Sequence, residues 1–234
     1  AMASRFGIGA YFHVATEDRE VDTVYMGMYR RGVFERIGLF DEELVRNQDD
    51  ELNYRLRKHG GRIFLTTRMR SHYQNRQCIA ALARQFFQYG WWKVRVLQKH
   101  PRQMSPRQFV PPLFVGSLVV IGVLAPWVPA AAWLCGATLT AYGVGLAVAA
   151  SAVARRHGWQ LFMPVLAAFA TMHVCWGTGF LLGALRFAPR WFANEPQPAR
   201  LPMSAVTQCE FAVVAAGDER VGASRNLVFG GRES

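Results

Sequence analysis

An α/β segment, then one long amphipathic helix, then about three transmembrane helices is the architecture predicted for these 234 residues. Three observations predict it. Clustered β-formers and short amphipathic runs fill the chain as far as residue 78, as in a small α/β unit. Residues 79–107 mix aromatic and basic side chains at helical spacing. Beyond them, Gln108 to Ala154 contains no Asp, Glu, Lys or Arg, and neither does Gln160 to Leu185. A bilayer core takes about 20 apolar residues per helix, so the first run is long enough for two spans and the second for one. The transmembrane region is set at 108–187. A tail at 188–234, rich in Pro, Ala, Gly and polar residues, is expected to be mostly unstructured apart from a periodic patch at Phe211 to Ala216.

Each element has a local reason. Gly7 to Val14 and Val21 to Met28 are rich in β-formers and predict strands, separated by a polar turn at Thr16 to Glu20. Gly32 to Ile37 predicts a short helix stopped by Gly38, with Phe40, Asp41 and Glu42 leading into a loop. Asp49 to His59 predicts a second helix. Leu52 and Leu56 supply its apolar side, Glu51 and Arg55 form a favourable i,i+4 pair, and Gly60 with Gly61 closes it. Ile63 to Thr67 has the composition of a buried strand. Ile79 to His100 predicts a long amphipathic helix, interrupted at Gly90 and terminated by Pro101. It carries Phe86, Phe87, Tyr89, Trp91 and Trp92 beside Arg84, Lys93 and Arg95. Rings settle at headgroup level while cations meet lipid phosphate, so this helix is expected to lie in the membrane interface. Pro126 and Pro129 suit the turn between the first two spans.

The net charge of +11 is distributed unevenly. No acidic residue occurs between Glu51 and Glu195, while Arg84, Lys93, Arg95, Lys99, Arg102 and Arg107 crowd the approach to the first span. Basic flanks resist translocation and attract anionic lipid, which places the soluble part in the cytoplasm. The uncharged turn Ala125 to Ala132 then faces outside, and Arg155 with Arg156 returns inside. Arg186 and Arg190 fit poorly, because a third full crossing would leave them outside; either the charge rule fails there or the last segment does not span fully. Basic residues abutting apolar spans without a recognition motif exclude a nucleic-acid partner. Cys78, Cys135, Cys175 and Cys209 have no paired spacing for zinc or a disulfide framework. Ala1 to Arg5 lack the apolar core of a signal peptide.

The chemistry-bearing residues concentrate at Asp49, Asp50 and Glu51. Successive helical residues point about 100° apart, so the three carboxylates cannot face one ligand. One reading makes Asn47 or Asp49 an N-cap, with the acids stabilised by the helix dipole. The other uses the same dipole to keep a carboxylate ionised, the form a general base needs. A lone His72 is a weak signal. His173, inside an apolar run, is costly there unless it bonds a neighbouring helix.

From Val21 to Leu65 the chain presents, in order, Gly27, Arg30 with Arg31, Phe34, Gly38, Phe40 to Glu42, and Gln48 with Asp49, followed by Glu51, Leu52 and Arg55. This order resembles the acceptor-side half of family 2 glycosyltransferases. With the aromatic helix and the three apolar runs, Ser4 through Arg190 is similar to the membrane-associated branch that includes succinoglycan biosynthesis glycosyltransferases.

The resemblance implies that 1–78 is the C-terminal part of a GT-A-like domain. It also implies inverting sugar transfer from a nucleotide-sugar donor to a lipid-linked saccharide acceptor in bacterial polysaccharide synthesis. Asp49 matches the family's general base, with Asp50 and Arg55 supporting it; Gln48 stands where the family has Glu. Gln88, Tyr89, Gly90, Trp91 and Trp92 match a donor- and acceptor-binding signature in which Trp91 replaces Arg, so Lys93 or Arg84 would supply the charge. Gly27 joins that binding set. His72 sits where relatives carry a His near the diphosphate or metal. A divalent cation, Mg or Mn, is implied, with ligands mostly outside this chain because no Asp-x-Asp occurs in it. The expectation is therefore a chain that is inactive without a nucleotide-binding half or companion chain. A non-catalytic membrane adaptor or lipid-binding protein is the alternative.

Overall fold

The computed structural model describes residues 17–24, 27–71, 78–192 and 212–218. The part of the chain before the apolar helices holds β1 (Arg19–Glu20), α1 (Arg31–Ile37), α2 (Gln48–Lys58) and β2 (Arg62–Ser71), followed by the long helix α3 (Ile79–Lys99). Three apolar helices come next, α4 (Val110–Leu124), α5 (Pro129–His157) and α6 (Phe162–Arg186), and a strand β3 (Ala212–Asp218) follows them.

The helix limits follow from their end residues. Gly38 and Gly60 take φ of 88° and 81°, which side chains with a Cβ resist, and they stop α1 and α2. Proline opens α4 and α5, where the first helical N–H has no partner to lose. Pro101 follows α3 as expected. Gly90 does not interrupt α3, which runs unbroken through it. A Cβ there would meet the Trp176 carbonyl oxygen at 2.2 Å, so this glycine is a notch for a second backbone and not a break.

The sheet has three strands in the order β1-β2-β3. Arg19 and Glu20 pair antiparallel with Leu65 and Phe64, and β3 runs parallel to β2 with Ala212 opposite Arg62. Of the strand expected at Val21 to Met28, residues 25 and 26 lie outside the described residues and Met28 forms a single bridge. Pairing falls on Arg19 and Glu20, in the stretch read as a polar turn, and Val21 continues it with a single bond to the Ile63 carbonyl at 2.9 Å. Arg62 bonding Glu20 at 3.1 Å and Thr66 bonding Asp18 at 3.1 Å fix this register through polar side chains, a signal that β-former counting ignores. The segment Gly7 to Val14 lies outside the described residues. The patch at Phe211 to Ala216 falls largely in β3, and the rest of the tail beyond Phe192 lies outside them too.

Val24, Val33, Ile37, Leu52, Leu56, Ile63 and Leu65 form the soluble core, joining α1 and α2 to β2. A second cluster brings Phe86 of α3 against Leu146, Phe169, Met172 and Trp176, and a third brings Val94 against Phe180 and Phe187. Early residues of α3 thus meet early residues of α6, and late meet late, so the two helices run side by side in the same direction. Their backbones touch. Gly179 faces the Phe87 carbonyl and Gly183 the Trp91 carbonyl, the close approach that small residues four apart permit. α4, α5 and α6 are each long and apolar enough to cross a membrane when their flanking turns are included.

Gly179→Ala is expected to destabilise the helical part by about 1–3 kcal/mol, the usual cost of overpacking, since its Cβ would lie 2.2 Å from the Phe87 carbonyl oxygen, which has no side-chain freedom with which to yield. Thermal unfolding in detergent measures this. An unchanged melting temperature would mean that α3 and α6 do not touch there.

Candidate functional site

α2 begins at an unusual cap. Asn47 is the only non-glycine residue with positive φ among the described residues, at 63°, and its side chain makes no capping bond. Asparagine tolerates the left-handed region better than most residues. The conformation frees its amide to donate to the Tyr89 carbonyl at 3.1 Å, which ties the start of α2 to α3. Arg46 adds a bond from Nε to the Gln88 side chain at 3.0 Å.

The three acids that follow diverge as helical geometry requires. Asp49 is half-buried, and its Oδ1 accepts the backbone N–H of Asp50 at 2.9 Å. Burial pushes its carboxyl above the ordinary value and the neighbouring Asp50 charge adds to that, against the lowering from backbone hydrogen bonds and Lys93. Asp50 turns toward α3, where Lys93 Nζ forms a short ion pair with Oδ2 and Gln103 Nε2 donates to the same atom at 2.7 Å. Glu51 points inward. It accepts from Arg55 Nε at 2.8 Å and Nη2 at 2.9 Å, and its Oε1 meets His100 Nε2 at 2.8 Å. Burial would raise the Glu51 carboxyl, but the His100 and Arg55 bonds overcome it and hold the group low.

Arg55, expected as a support, is a buried clamp. Besides Glu51 it donates to the Ile37 carbonyl at 2.6 Å and the Leu39 carbonyl at 2.7 Å, binding the end of α1 to α2. Tyr29 faces the other side of the acids. Its hydroxyl donates to Asn53 Oδ1 at 2.9 Å, and burial, with the charge of Asp49 behind it, pushes its pKa up to about 12.

Of the other expected residues, Gln88 receives the Arg46 bond, and Trp91 and Trp92 pack their rings on Phe187 at 5.7 and 5.8 Å. Lys93 is 2% exposed and engaged with Asp50, whereas Arg84 is exposed on α3. Gly27 is half-buried ahead of Tyr29. His72 lies outside the described residues. The structure therefore brings Asp50 and Lys93 together at the α2–α3 contact, with Asp49 beside Asp50 and Gln88 bonded to Arg46 just before α2; Arg55 is turned to the end of α1, and the two tryptophans turn toward the end of α6. In the apolar region His173 Nδ1 lies 3.2 Å from the Tyr142 hydroxyl, on the neighbouring helix.

Sequence reasoning missed a second set of ion pairs. Glu43 accepts from Arg95 Nε and Nη2, each at 2.9 Å, lies 2.8 Å from Lys99 Nζ, and meets Arg190 from beyond α6. Asp41 takes Lys99 Nζ at 2.5 Å. Hydrogen bonding from Arg95 is the main cause that holds the Glu43 carboxyl down at about 2. The available signal was compositional: the last acids before a long basic, acid-free stretch have to serve the cations of that stretch.

With this geometry in place, comparison with known proteins finds one clear likeness. The chain is 31% identical over 168 residues to the succinoglycan biosynthesis protein ExoA of Rhizobium meliloti (strain 1021), a match covering 70% of this chain and 48% of that protein. The chain spans about half the length of this curated relative. No model of a protein family matches, and no solved structure does.

The low Glu43 carboxyl sets the sign of an acid-stability prediction. Its folded pKa of about 2 lies below the ordinary 4.5, so its stabilising contribution is complete above about 4.5 and is lost as pH falls toward 2. In acid titrations followed by circular dichroism, Glu43→Gln should be less stable than the parent at neutral pH. The difference should shrink steadily below pH ~4.5, because the parent loses its charge there. A difference independent of pH would show that Glu43 acts through packing alone.

Proposed function

We propose that the chain is the acceptor-side and membrane portion of an inverting family 2 glycosyltransferase, which moves sugar from a nucleotide-sugar to a lipid-linked saccharide during bacterial exopolysaccharide synthesis. The observation that carries this reading is Asp49. It is a half-buried carboxylate with a raised pKa, at the start of a helix docked on an aromatic helix whose chain continues into apolar segments. A carboxylate raised toward the working pH while still ionised is the better proton acceptor. Likeness to a succinoglycan biosynthesis protein supports the same class.

In this mechanism Asp49 takes the proton of an acceptor hydroxyl as that oxygen attacks the anomeric carbon. The bond to the nucleoside diphosphate breaks on the opposite face, which inverts the configuration. Asp50 is engaged by Lys93 and Gln103, and Glu51 by Arg55 and His100, so among the described residues Asp49 is the acid of the three with no cationic partner at hydrogen-bond distance. The GT-A-like character of the soluble part belongs to the same proposal, as do its cytoplasmic side, an inner-membrane location and the need for a nucleotide-binding half. A divalent cation would neutralise the leaving diphosphate when bound. The described residues contain no group of three His, Cys, Asp or Glu side chains able to hold one, so its ligands are proposed to lie outside them and no step is assigned through it here.

A non-catalytic membrane adaptor is the competing reading, favoured by the bond Asp49 makes to the Asp50 N–H, an ordinary service at a helix start. Asp49→Asn separates the two. Asparagine keeps that acceptor oxygen and removes a charge that burial disfavours, so melting temperature should hold or rise slightly. Sugar transfer into the lipid fraction, measured with the full-length gene product in membranes, should fall about 10²–10⁴-fold, the usual contribution of a general base. Unchanged turnover refutes Asp49 as the base, and a large loss of stability favours the adaptor.

A further inference from the structure

A short turn joins the end of α3 to the first acids of α2. The Gln103 N–H donates to the His100 carbonyl at 3.0 Å, which puts Pro101 and Arg102 at the exposed tip. Both ends of the turn are held: His100 Nε2 meets Glu51 Oε1 at 2.8 Å, and Gln103 Nε2 donates to Asp50 Oδ2 at 2.7 Å. Arg102 is therefore carried between two residues bonded to the acids that follow Asp49.

The chain then passes into the apolar segments. Ser105 and Gln108 form a capping box around a short helical turn, Pro106–Phe109, on which Arg107 is exposed, and α4 follows with Val110 61% and Leu113 69% exposed. Among the described residues neither Arg102 nor Arg107 has a side-chain hydrogen bond or an ion pair, whereas Lys93, Arg95 and Lys99 of α3 are all engaged by carboxylates. Two unanswered guanidinium groups thus stand where the docked acids give way to apolar surface. Lys93 is the cation that acts on the Asp49 carboxyl. The two arginines stand farther off, as suits a charged lipid head separated from its reacting hydroxyl by sugar rings. A second exposed basic group, Arg155 to His157 at the end of α5, lies elsewhere. Val153 near that end packs in the cluster that holds Leu82 and Phe86, early in α3, whereas the start of α2 docks on α3 at Gln88 and Tyr89.

We propose that Arg102 and Arg107 bind the phosphate-bearing head of the lipid-linked acceptor, whose apolar tail lies along the exposed start of α4. Guanidinium groups hold phosphate through paired N–H donors, and a lipid of this kind meets cations and apolar surface at once. The inference rests on the acceptor class proposed above and adds the residues that hold it.

The experiment uses the full-length gene product, purified in a neutral detergent, and reads its melting temperature as farnesyl diphosphate, a short lipid diphosphate, is added. A ligand that binds the folded state alone raises that temperature with concentration. The parent is expected to gain several degrees. Arg102→Gln with Arg107→Gln should lose that gain while keeping its ligand-free melting temperature, and Arg155→Gln with Arg156→Gln should retain it. Should the first double variant not fold, each of its single substitutions is expected to remove at least half of the gain. A gain that survives the substitutions at Arg102 and Arg107 overturns the proposal. So does an equal gain from inorganic pyrophosphate, which would mark a site for free phosphate, or from phosphatidylglycerol, which would mark a plain anionic membrane surface. No turnover enters this readout, so it stands apart from the Asp49→Asn test. Transfer abolished in Asp49→Asn with no farnesyl diphosphate gain in the parent refutes the head site alone, and a gain with unchanged transfer refutes only the base.

Discussion

Two cations buried on one helix set the terms for the soluble part. Lys93 and Arg95 are 2% and 0% exposed, and an ion taken out of water costs several kcal/mol unless a counter-charge and hydrogen bonds meet it. Chain composition supplies few candidates, because no acid lies between Glu51 and Glu195. Asp50 answers Lys93, and Glu43 answers Arg95 with both oxygens. Once those pairs form, the loop before α2 and its first turn are fixed on α3, and Asp41 with Lys99 completes the contact. The position of Asp49 follows from its neighbours.

That arrangement divides labour among adjacent carboxylates. Asp50 and Glu51 point about 100° apart, Asp50 to Lys93 and Gln103 and Glu51 to Arg55 and His100, and together they tie the first turn of α2 to α3 and the residues just past it. Asp49, one step before them, lies close enough to Tyr29 for its charge to raise that hydroxyl's pKa, and keeps a carboxyl that burial makes harder to ionise. Two of these acids, Asp49 and Glu51, thus shift in opposite directions because they face different partners. His100 participates from the C-terminal cap of α3, where it contacts Glu51 and packs its ring at a tilt on Tyr54, with centroids 5.1 Å apart.

Much of the helical architecture was legible because its signals are local. α1, α2, α3 and the three apolar helices end within a few residues of where glycine, proline and periodicity placed them. The i,i+4 pairing of Glu51 with Arg55 and the divergence of the three acids also follow from helix geometry alone. What could not be read depended on partners far away in the chain. Gly90 looked like an interruption because its contact, Trp176, lies on another helix. The first strand was misplaced because Val21 to Met28 has the better composition while Arg19 and Glu20 have the partner. Lys93 was read as a free charge for a ligand, and the structure gives it to Asp50.

The glycine-lined seam between α3 and α6 joins segments that are synthesised far apart in time. When α3 emerges from the ribosome, α2 and the loop before it are already present, so Asp50 and Glu43 can close on Lys93 and Arg95, but the groove at Gly90 stays open until α6 has been translated, two helices later. Long-range contacts form late because loop closure must precede them. A nascent chain paused before Gly179 would hold a closed acidic clasp beside an unfilled furrow, available to any passing helix with a small-residue face.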